Sequence, residues 1–336
     1  MSGVRNIIQY TLILLATGLL IWFSLSGIHV EGNGNKWDYL VGAWKQAHKG
    51  WLLAMAAIMI FSHWLRAIRW RILLEPVGYR PSARDSFLSV MVAYLVNLAI
   101  PRGGEVSRCY NLYKLDKTPV EISFGTVVVE RIVDLICLVL LIALSFIAES
   151  QKLFAFIATL PIGAGTGGSR LTTLLIVVVV LALISLALYV FIKRSQRFKN
   201  FINKTWSGFK GGLTSVFLLK NKWPFIICSL VIWALYFFMS YAVILAFPST
   251  AELGVHAVLS LFAIGAIAMA VPLPGGAGSY HVLVPQGLFF LYNIPRADAV
   301  AFTFIFHGWQ TAVLVLVGAI SLIATSMLVK KDSKGG

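Results

Sequence analysis

Long apolar runs without a single charged residue constrain this chain more than any other feature of its sequence. One such run extends from Leu171 to Ile192 and another from Trp223 to Ala251. Each exceeds the roughly 20 residues that an α-helix needs to cross the hydrocarbon core of a bilayer. Charged residues make up only 12% of the chain, about half of the level found in soluble domains. The sequence therefore predicts an integral membrane protein and argues against a soluble enzyme.

Six apolar segments are long enough to cross the membrane. Backbone N–H and C=O groups must be hydrogen-bonded internally in lipid, so each span is expected to be an α-helix. This predicts an all-α polytopic membrane protein in which residues 1–336 form a single membrane domain, and the basic stretch 193–222 is expected to be only a loop. The predicted spans are about 7–28, 51–72, 123–148, 171–192, 223–247 and 299–328.

Two further apolar segments are interrupted by proline and glycine. The segment 86–113 contains Pro101-Arg-Gly-Gly104, and the segment 255–292 contains Pro272-Leu-Pro-Gly-Gly-Ala-Gly278. Proline lacks a backbone donor and glycine loses the most backbone entropy on folding, so neither favours a helix interior. Each segment is predicted to form a helix, a break and a second helix.

The distribution of basic residues predicts how these segments thread the bilayer, because Lys and Arg are enriched in cytoplasmic loops. The formal net charge is +15, and basic residues concentrate in 66–85, in 193–222 and in the tail from Lys330. If these three regions are cytoplasmic, each broken segment begins and ends on the same side and forms a re-entrant hairpin. The alternative is that both broken segments cross the membrane, which gives eight spans.

This threading divides the chain into two repeats of opposite orientation, about 1–150 and about 171–330. Each repeat reads as span, span, broken hairpin, span. Inverted repeats with interrupted helices at matching positions are typical of secondary transporters, in which the breaks mark the binding site. Both termini are expected in the cytoplasm, and the location expected from the charge bias is the plasma membrane of a bacterium or archaeon.

Charged residues follow the first break directly. Arg102, Glu105 and Arg108 are spaced by three, which places them on one face of a helix. The N–H groups after the break, beginning at Gly103 and Gly104, favour an anion, and the planar fork of arginine matches phosphate oxygens. The pattern predicts a phosphate-binding site, in which Glu105 either holds an arginine in place or carries a proton.

A second charged cluster, Glu130, Arg131 and Asp134, lies near the start of the span 123–148. Spacings of three and four bring these residues to one helical face. Charges at membrane depth are unfavourable by about 2.5–3.5 kcal/mol each on insertion scales. Two interpretations stay open, namely an ion pair that anchors the helix end and a pairing with the charged residues after the first break.

The second break is rich in glycine, which would let a head group approach the backbone closely. His281 follows it and either titrates near neutral pH or caps a helix in a structural role. The candidate binding residues at this break are Pro272, Pro274, Gly275, Gly276, Gly278 and His281.

Three other polar residues, His63, Arg66 and Arg69, end the span 51–72. They are predicted to extend towards the cytoplasmic head groups, as long basic side chains at span ends do.

Motifs of catalysis do not occur in the sequence. It contains no Walker A loop, no His-Glu-x-x-His, no Gly-x-Ser-x-Gly and no paired-cysteine motif. We therefore expect no enzymatic activity, no metal and no cofactor, and we expect no nucleic-acid partner.

Three motifs, in order, resemble those of the lysylphosphatidylglycerol synthase transmembrane, or flippase-like, family. Pro101-Arg-Gly-Gly-Glu-Val-Ser-Arg108 resembles the family's Arg-x-Gly-Glu-x-x-Arg signature, and Val129-Glu-Arg-Ile-Val-Asp134 resembles its Glu-Arg-x-x-Asp. Pro272-Leu-Pro-Gly-Gly-Ala-Gly278 is similar to its Pro-x-Pro-Gly-Gly-x-Gly. The resemblance covers essentially the whole chain and implies a lipid translocase fold.

The resemblance also carries expectations about activity. Some relatives have a soluble aminoacyl-transfer domain, whereas this chain is expected to be a stand-alone membrane domain without synthase activity. His281 stands three residues beyond Gly278, where many relatives carry an acid. This departure, together with the arginines, favours an anionic, phosphate-bearing lipid over a cationic one.

The leading hypothesis is a flippase-like protein that moves a phospholipid or lipid-linked head group between leaflets. The head group would lie between the two hairpin tips while the acyl tails stay in the lipid. The alternative is a non-transporting membrane subunit that binds a lipid and presents it to a partner enzyme. The bilayer and the lipid are the expected partners, and a homo-oligomer is left open.

Overall fold

The computed structural model describes residues 35–100, 103–159, 206–270 and 277–335, together with Trp22, Ser24 and Leu25. Within these residues the regular secondary structure is helical and no strand occurs. The predicted span 171–192 lies outside the described residues, as does the span 7–28 apart from the three residues named. The described helices are α1 (Lys36–Gln46), α2 (Lys49–Leu74), α3 (Ala83–Ala99), α4 (Gly104–Asp116), α5 (Val120–Thr159), α6 (206–214), α7 (Trp223–Ala246), α8 (Val255–Ala270), α9 (Ser279–Tyr292) and α10 (Arg296–Gly335).

Four of these helices, α2, α5, α7 and α10, are long and apolar enough to cross a membrane. They confirm the predicted spans 51–72, 123–148, 223–247 and 299–328. The backbone of α5 leaves helical geometry at Glu149 (φ −141°, ψ 44°), which is where the third of the predicted spans ends. The protein is therefore a helical, multi-pass membrane protein, as the hydropathy predicts.

The helix α2 lies at the centre and packs antiparallel to α7. The two helices meet at one end through the His48 N–H, which donates to Ala246 O at 2.7 Å. Further along, Arg69 Nη1 donates to Ser229 Oγ at 3.3 Å. These opposite directions agree with the predicted threading.

The helix α5 also runs antiparallel to α2, because Arg66 pairs with Asp134 while Arg69 pairs with Glu130. The helix α10 runs parallel to α2. It begins beside the N-terminal half of α2, where Trp309 Nε1 donates to Leu52 O (2.9 Å). Towards its end, Thr325 Oγ1 accepts a hydrogen bond from Asn111 Nδ2 on α4 (3.3 Å). The relative directions of all four long helices therefore match the predicted threading.

The first broken segment forms a hairpin of two antiparallel helices, α3 and α4. Gly104 N–H donates to Asn97 Oδ1 (2.8 Å) near the tip, and Asn111 Nδ2 donates to Ser89 Oγ (3.2 Å) near the base. Gly104 allows this close approach, because a Cβ there would lie 2.3 Å from Ala93 O. The predicted helix, break and helix are confirmed, with residues 101 and 102 of the break outside the described residues.

The second broken segment forms a matching hairpin from α8 and α9. Ser279 Oγ donates to Ala268 O (2.7 Å) near the tip, and Gly287 packs closely against Ile264. Gly278 precedes α9 with φ +93°, a left-handed conformation that favours glycine. Residues 271–276 of this break lie outside the described residues.

The two hairpins open towards opposite ends of the bundle. The base of the first lies beside the C-terminal end of α2, where Arg71 Nε donates to Pro81 O (2.7 Å). The base of the second is held at the far end of α5 by Glu149, whose carboxylate accepts from Ser260 Oγ (2.6 Å) and from Tyr292 OH. Whether the hairpins re-enter or cross the bilayer stays a prediction.

The prediction that 193–222 is only a loop is wrong for residues 206–214, which are helical. This helix, α6, packs against the start of α5 through Gly125 and Gly212. A Cβ on Gly212 would lie 2.2 Å from Ile122 O, so only glycine fits. Glycine lowers the local helix preference, and the contact with α5 compensates for it.

Candidate functional site

The two charged clusters of the sequence meet at the tip of the first hairpin. Arg108 Nη1 on α4 lies 2.7 Å from Glu130 Oε2 on α5. One turn nearer the tip, Glu105 Oε1 lies 3.0 Å from Arg131 Nη2. The interpretation that these clusters pair with each other is confirmed. The ion pair of the other interpretation is also present, because Arg131 Nη1 lies 3.8 Å from Asp134 Oδ2 within α5.

Two further arginines, which the sequence analysis placed in the head-group region, belong to the same network. Arg69 is 0% exposed and Arg66 is 4% exposed. Arg69 binds Asp134 Oδ1 (2.8 Å) and Glu130 Oε1 (3.2 Å), and Arg66 binds Asp134 Oδ2 (3.1 Å). The prediction that these side chains extend to head groups is wrong, because antiparallel packing sets them against the carboxylates of α5.

The arginines also connect the network to α7 and to an aromatic ring. Arg66 Nη2 donates to Tyr236 OH (2.7 Å). The guanidinium of Arg108 stacks 3.8 Å above the ring of Trp70, whose Nε1 donates to Thr126 Oγ1 (2.9 Å). Four helices (α2, α4, α5 and α7) are therefore joined by buried polar contacts.

The network contains more positive than negative charge. In the described part of the chain, four guanidinium groups (Arg66, Arg69, Arg108, Arg131) face three carboxylates (Glu105, Glu130, Asp134), which leaves one positive charge. Buried charges are stable only when they are paired. Among the described residues, the Nε and Nη2 atoms of Arg108 have no hydrogen-bond partner, and neither do Nε of Arg66, Nη2 of Arg69 and, on the acidic side, Oε2 of Glu105. Unpartnered donors therefore outnumber unpartnered acceptors. This arrangement can accept an additional anion.

A crevice at the hairpin tip gives access to this network. It is lined by Gly104, Glu105, Arg108 and Arg131 together with residues of α2 and α3, and its volume is about 10 Å³. That is about the space of one water molecule, so a larger anion requires a side chain to move. The pair Glu105–Arg131 is the most exposed part of the network, with 23% and 45% of the side chains exposed. It is the contact that can open most easily.

The backbone at the first break differs from the expected anion cradle. Gly103 N–H donates to Ile100 O (2.9 Å) and Gly104 N–H donates to Asn97 Oδ1 (2.8 Å). These two N–H groups, expected to face an anion, are therefore occupied. Arg102 lies outside the described residues.

A second and much larger space, of about 400 Å³, lies between the tips of the two hairpins. This volume is in the range of sites for small molecules. Met59 and His63, near the middle of the 26-residue helix α2, line one wall. The remaining walls come from α3, α7, α8, α9 and α10. Tyr94 and Asn97 line both this cavity and the crevice at the arginines.

At the second break, His281 has a capping role. Its Nδ1 accepts the N–H of Gly278 (3.4 Å), and its ring lies 4.4 Å from the ring of Phe304 and 4.8 Å from that of His307. The neighbouring Tyr280, rather than His281, lines the cavity. Four candidates at this break, Pro272, Pro274, Gly275 and Gly276, lie outside the described residues.

Sequence reasoning did not predict this cavity, although it named one of its lining residues, His63, as a polar residue at the end of a span. His63, Tyr236 and Gln310 come from three helices that are distant in sequence and contribute polar groups to the cavity wall. Gln310 and His307 are polar residues within an apolar span, and that was the available signal. In the part of the chain that the structure describes, no cluster of His, Cys, Asp or Glu could hold a metal ion.

A family model and a known protein match this chain over most of its length, and a second known protein matches a fifth of it. The family model of the lysylphosphatidylglycerol synthase TM region matches residues 7–318. Glycosyltransferase AglD of Haloferax volcanii is 25% identical over 306 residues, which are 82% of this chain and 49% of that protein. UPF0104 membrane protein MJ1595 of Methanocaldococcus jannaschii is 38% identical over 69 residues, 20% of each chain.

The match therefore covers about half the length of glycosyltransferase AglD and a fifth of the length of MJ1595. No solved structure matches it. The family model covers nearly all of the chain, including the charged hairpin tip, the acidic face of α5 and the glycine-rich second break. This multi-pass membrane protein belongs to the family of the lysylphosphatidylglycerol synthase TM region.

Proposed function

We propose that the protein is a flippase-like lipid translocase that moves a phosphate-bearing lipid or lipid-linked head group between leaflets. One observation carries this proposal. The buried network at the first hairpin tip has an excess positive charge, and Arg108 keeps two nitrogen atoms without a partner among the described residues. A phosphate group supplies the missing negative charge and the missing acceptors.

The arrangement of the hairpins supports transport rather than binding alone. They open towards opposite ends of the bundle, and a cavity lies between their tips. If the chain forms two inverted repeats, about 1–150 and about 171–330, each hairpin faces one side of the membrane. Movement of one hairpin at a time would expose the site alternately to the two leaflets, as in other transporters with broken helices.

The residues of the network have different proposed roles. Arg108 and Arg131, together with Arg102, bind the phosphate, and Glu105 releases Arg131 when the anion enters. Glu130 and Asp134 hold Arg66 and Arg69 in place, which keeps the remaining arginines oriented. At the second break, Gly278 and its neighbours allow a head group to approach the backbone. No chemical bond of the lipid changes, so this role is not enzymatic.

The test is translocation of fluorescent phosphatidylglycerol by purified protein in liposomes, measured by chemical quenching of the outer leaflet. We expect the double variant Arg102→Ala/Arg108→Ala to lose at least about tenfold in rate, equivalent to ~1.4 kcal/mol. The matched control is Arg84→Ala, because the Arg84 side chain is 63% exposed and its one ion pair among the described residues is with its neighbour Asp85. Unchanged translocation by the double variant would show that the site assignment is wrong.

A second candidate function is supported by one of the relatives. A region similar to this chain makes up about half of a protein named glycosyltransferase AglD. This supports a non-transporting subunit that binds a lipid-linked substrate and presents it to an enzyme. Stable co-purification of a partner enzyme, with lipid binding but no translocation by the pure protein, would favour this function over transport.

A further inference from the structure

We propose that the cavity between the hairpin tips binds the hydrocarbon chain of the same lipid, next to its head group. This inference rests on the proposed phosphate site at Arg108 and specifies the class of ligand. The ligand is an amphiphile with a phosphate and a flexible apolar chain. The sequence predicted only that the tails remain in the surrounding lipid.

The lining of the cavity carries the first step. No Asp, Glu, Lys or Arg lines it among the described residues. A charged head group placed there would lose its hydration without a paired charge, which is strongly unfavourable. Apolar side chains cover most of the wall, and methionine adapts well to irregular apolar ligands. The apolar wall includes Met59, Met239, Leu261, Phe302, Phe306 and Leu314.

The second step is the position of the cavity relative to the arginines. Tyr94 and Asn97 line both the cavity and the crevice that contains Arg108 and Arg131. The crevice and the apolar cavity therefore adjoin at the side chains of Tyr94 and Asn97 on α3. A cationic crevice that adjoins an apolar cavity matches the polarity of a phospholipid.

The third step is a hydrogen bond that links the two spaces, because Arg66 lines the crevice and Tyr236 lines the cavity. Tyr236 OH accepts a hydrogen bond from Arg66 Nη2 (2.7 Å) and lines the cavity. A hydroxyl that accepts one bond keeps its own hydrogen to donate. An ester or ether oxygen, which joins a lipid chain to its phosphorylated backbone, is an acceptor suited to this position.

The test compares two probes, palmitoyl lysophosphatidic acid and glycerol 3-phosphate, by native mass spectrometry of the purified full chain in neutral detergent. The variants Ala266→Phe and Ser240→Phe fill the cavity from α8 and α7. We expect each to weaken binding of the lysophosphatidic acid about tenfold and to leave glycerol 3-phosphate unchanged. The control is Leu230→Phe, because Leu230 is 61% exposed on the same helix as Ser240.

Arg108→Gln separates this inference from the proposed function. It should weaken both probes, and an unchanged affinity for both would reject the phosphate site whatever the cavity variants show. Two results would reject the cavity assignment, namely normal binding of lysophosphatidic acid by the filled variants, or an equal loss of both probes.

A measurement on the unaltered protein completes the test and does not depend on how the variants fold. Lysophosphatidic acid with a diazirine on its chain should crosslink to cavity residues such as Met59 and Met239. Crosslinks confined to lipid-facing residues such as Leu230 would overturn the proposal.

Discussion

Arg69 Nη1 lies 2.8 Å from Asp134 Oδ1, and this contact joins α2 to α5 inside the bundle. Arg69 also binds Glu130, so one fully buried guanidinium group compensates two carboxylates on adjacent turns of α5. Glu130 in turn holds Arg108 on the first hairpin. The position of the hairpin tip therefore depends on an arginine that does not line the cavity.

Removal of this arginine should destabilise the fold strongly. In Arg69→Ala, Glu130 and Asp134 each lose a partner in a buried site, and breaking a buried pair in this way typically costs about 3–5 kcal/mol. We expect a marked fall in melting temperature, measured by the fluorescence of detergent-solubilised protein. Arg80→Ala is the control, because Arg80 pairs with Glu75 at the surface, where the two side chains are 78% and 56% exposed, respectively. An equal, small effect of both changes would contradict the structural role of Arg69.

The place of Arg69 also shows what the sequence could not predict. Hydropathy located the span, but it does not distinguish a basic residue that points to head groups from one that faces another helix. The spacing of Glu130 and Asp134 contained a usable signal. Two carboxylates one turn apart need basic partners, and Arg66 and Arg69 are also about one turn apart, on a helix of opposite direction.

The two helix breaks, unlike the position of Arg69, could be predicted from the local sequence alone. Proline and glycine end α3 near Ile100, and the glycine-rich stretch ends α8, as expected from their backbone preferences. The cavity between the tips was not predictable in the same way. Its wall is assembled from side chains of several helices, and no local pattern marks residues that meet only through tertiary packing.

The contact between α5 and α6 should depend on the absence of a side chain. A Cβ on Gly212 would lie 2.2 Å from Ile122 O, whereas one on the preceding Gly211 would meet nothing within 4 Å. Overpacking of this kind costs about 1–3 kcal/mol. We expect Gly212→Ala to lower the melting temperature and Gly211→Ala to leave it unchanged or raise it slightly. A similar response of the two variants would show that α6 does not pack closely on α5.

An added side chain should also be disruptive at the tip of the first hairpin. There we expect it to lower the rate of translocation rather than the global stability. A Cβ on Gly104 would lie 2.3 Å from Ala93 O and 2.6 Å from Asn97 Nδ2. Gly104→Ala should therefore push α4 away from α3 and displace Arg108. We expect translocation to fall by about tenfold or more, since small displacements of binding groups have large effects on rate. The control is Gly42→Ala, where a Cβ meets nothing within 4 Å, and equal rates for the two variants would contradict this account.

The orientation of the hairpins in the membrane can be tested by labelling single cysteines. The helices α3 and α4 contain 17 and 13 residues, or about 25 and 20 Å at 1.5 Å per residue. Both are shorter than the hydrocarbon core of about 30 Å, so the hairpin should end inside the bilayer. In a variant without Cys109, Cys137 and Cys228, we expect cysteines at positions 80 and 117 to react with an impermeant reagent from the same side.

The second hairpin should give the opposite result. Cysteines at positions 252 and 293 should react from the other side of the membrane, because the two hairpins open towards opposite ends of the bundle. If α3 and α4 instead crossed as one kinked span, positions 80 and 117 would react from different sides. If positions 80 and 252 reacted from the same side, the inverted arrangement of the two hairpins would be wrong, and alternating exposure of the cavity would lose its structural basis.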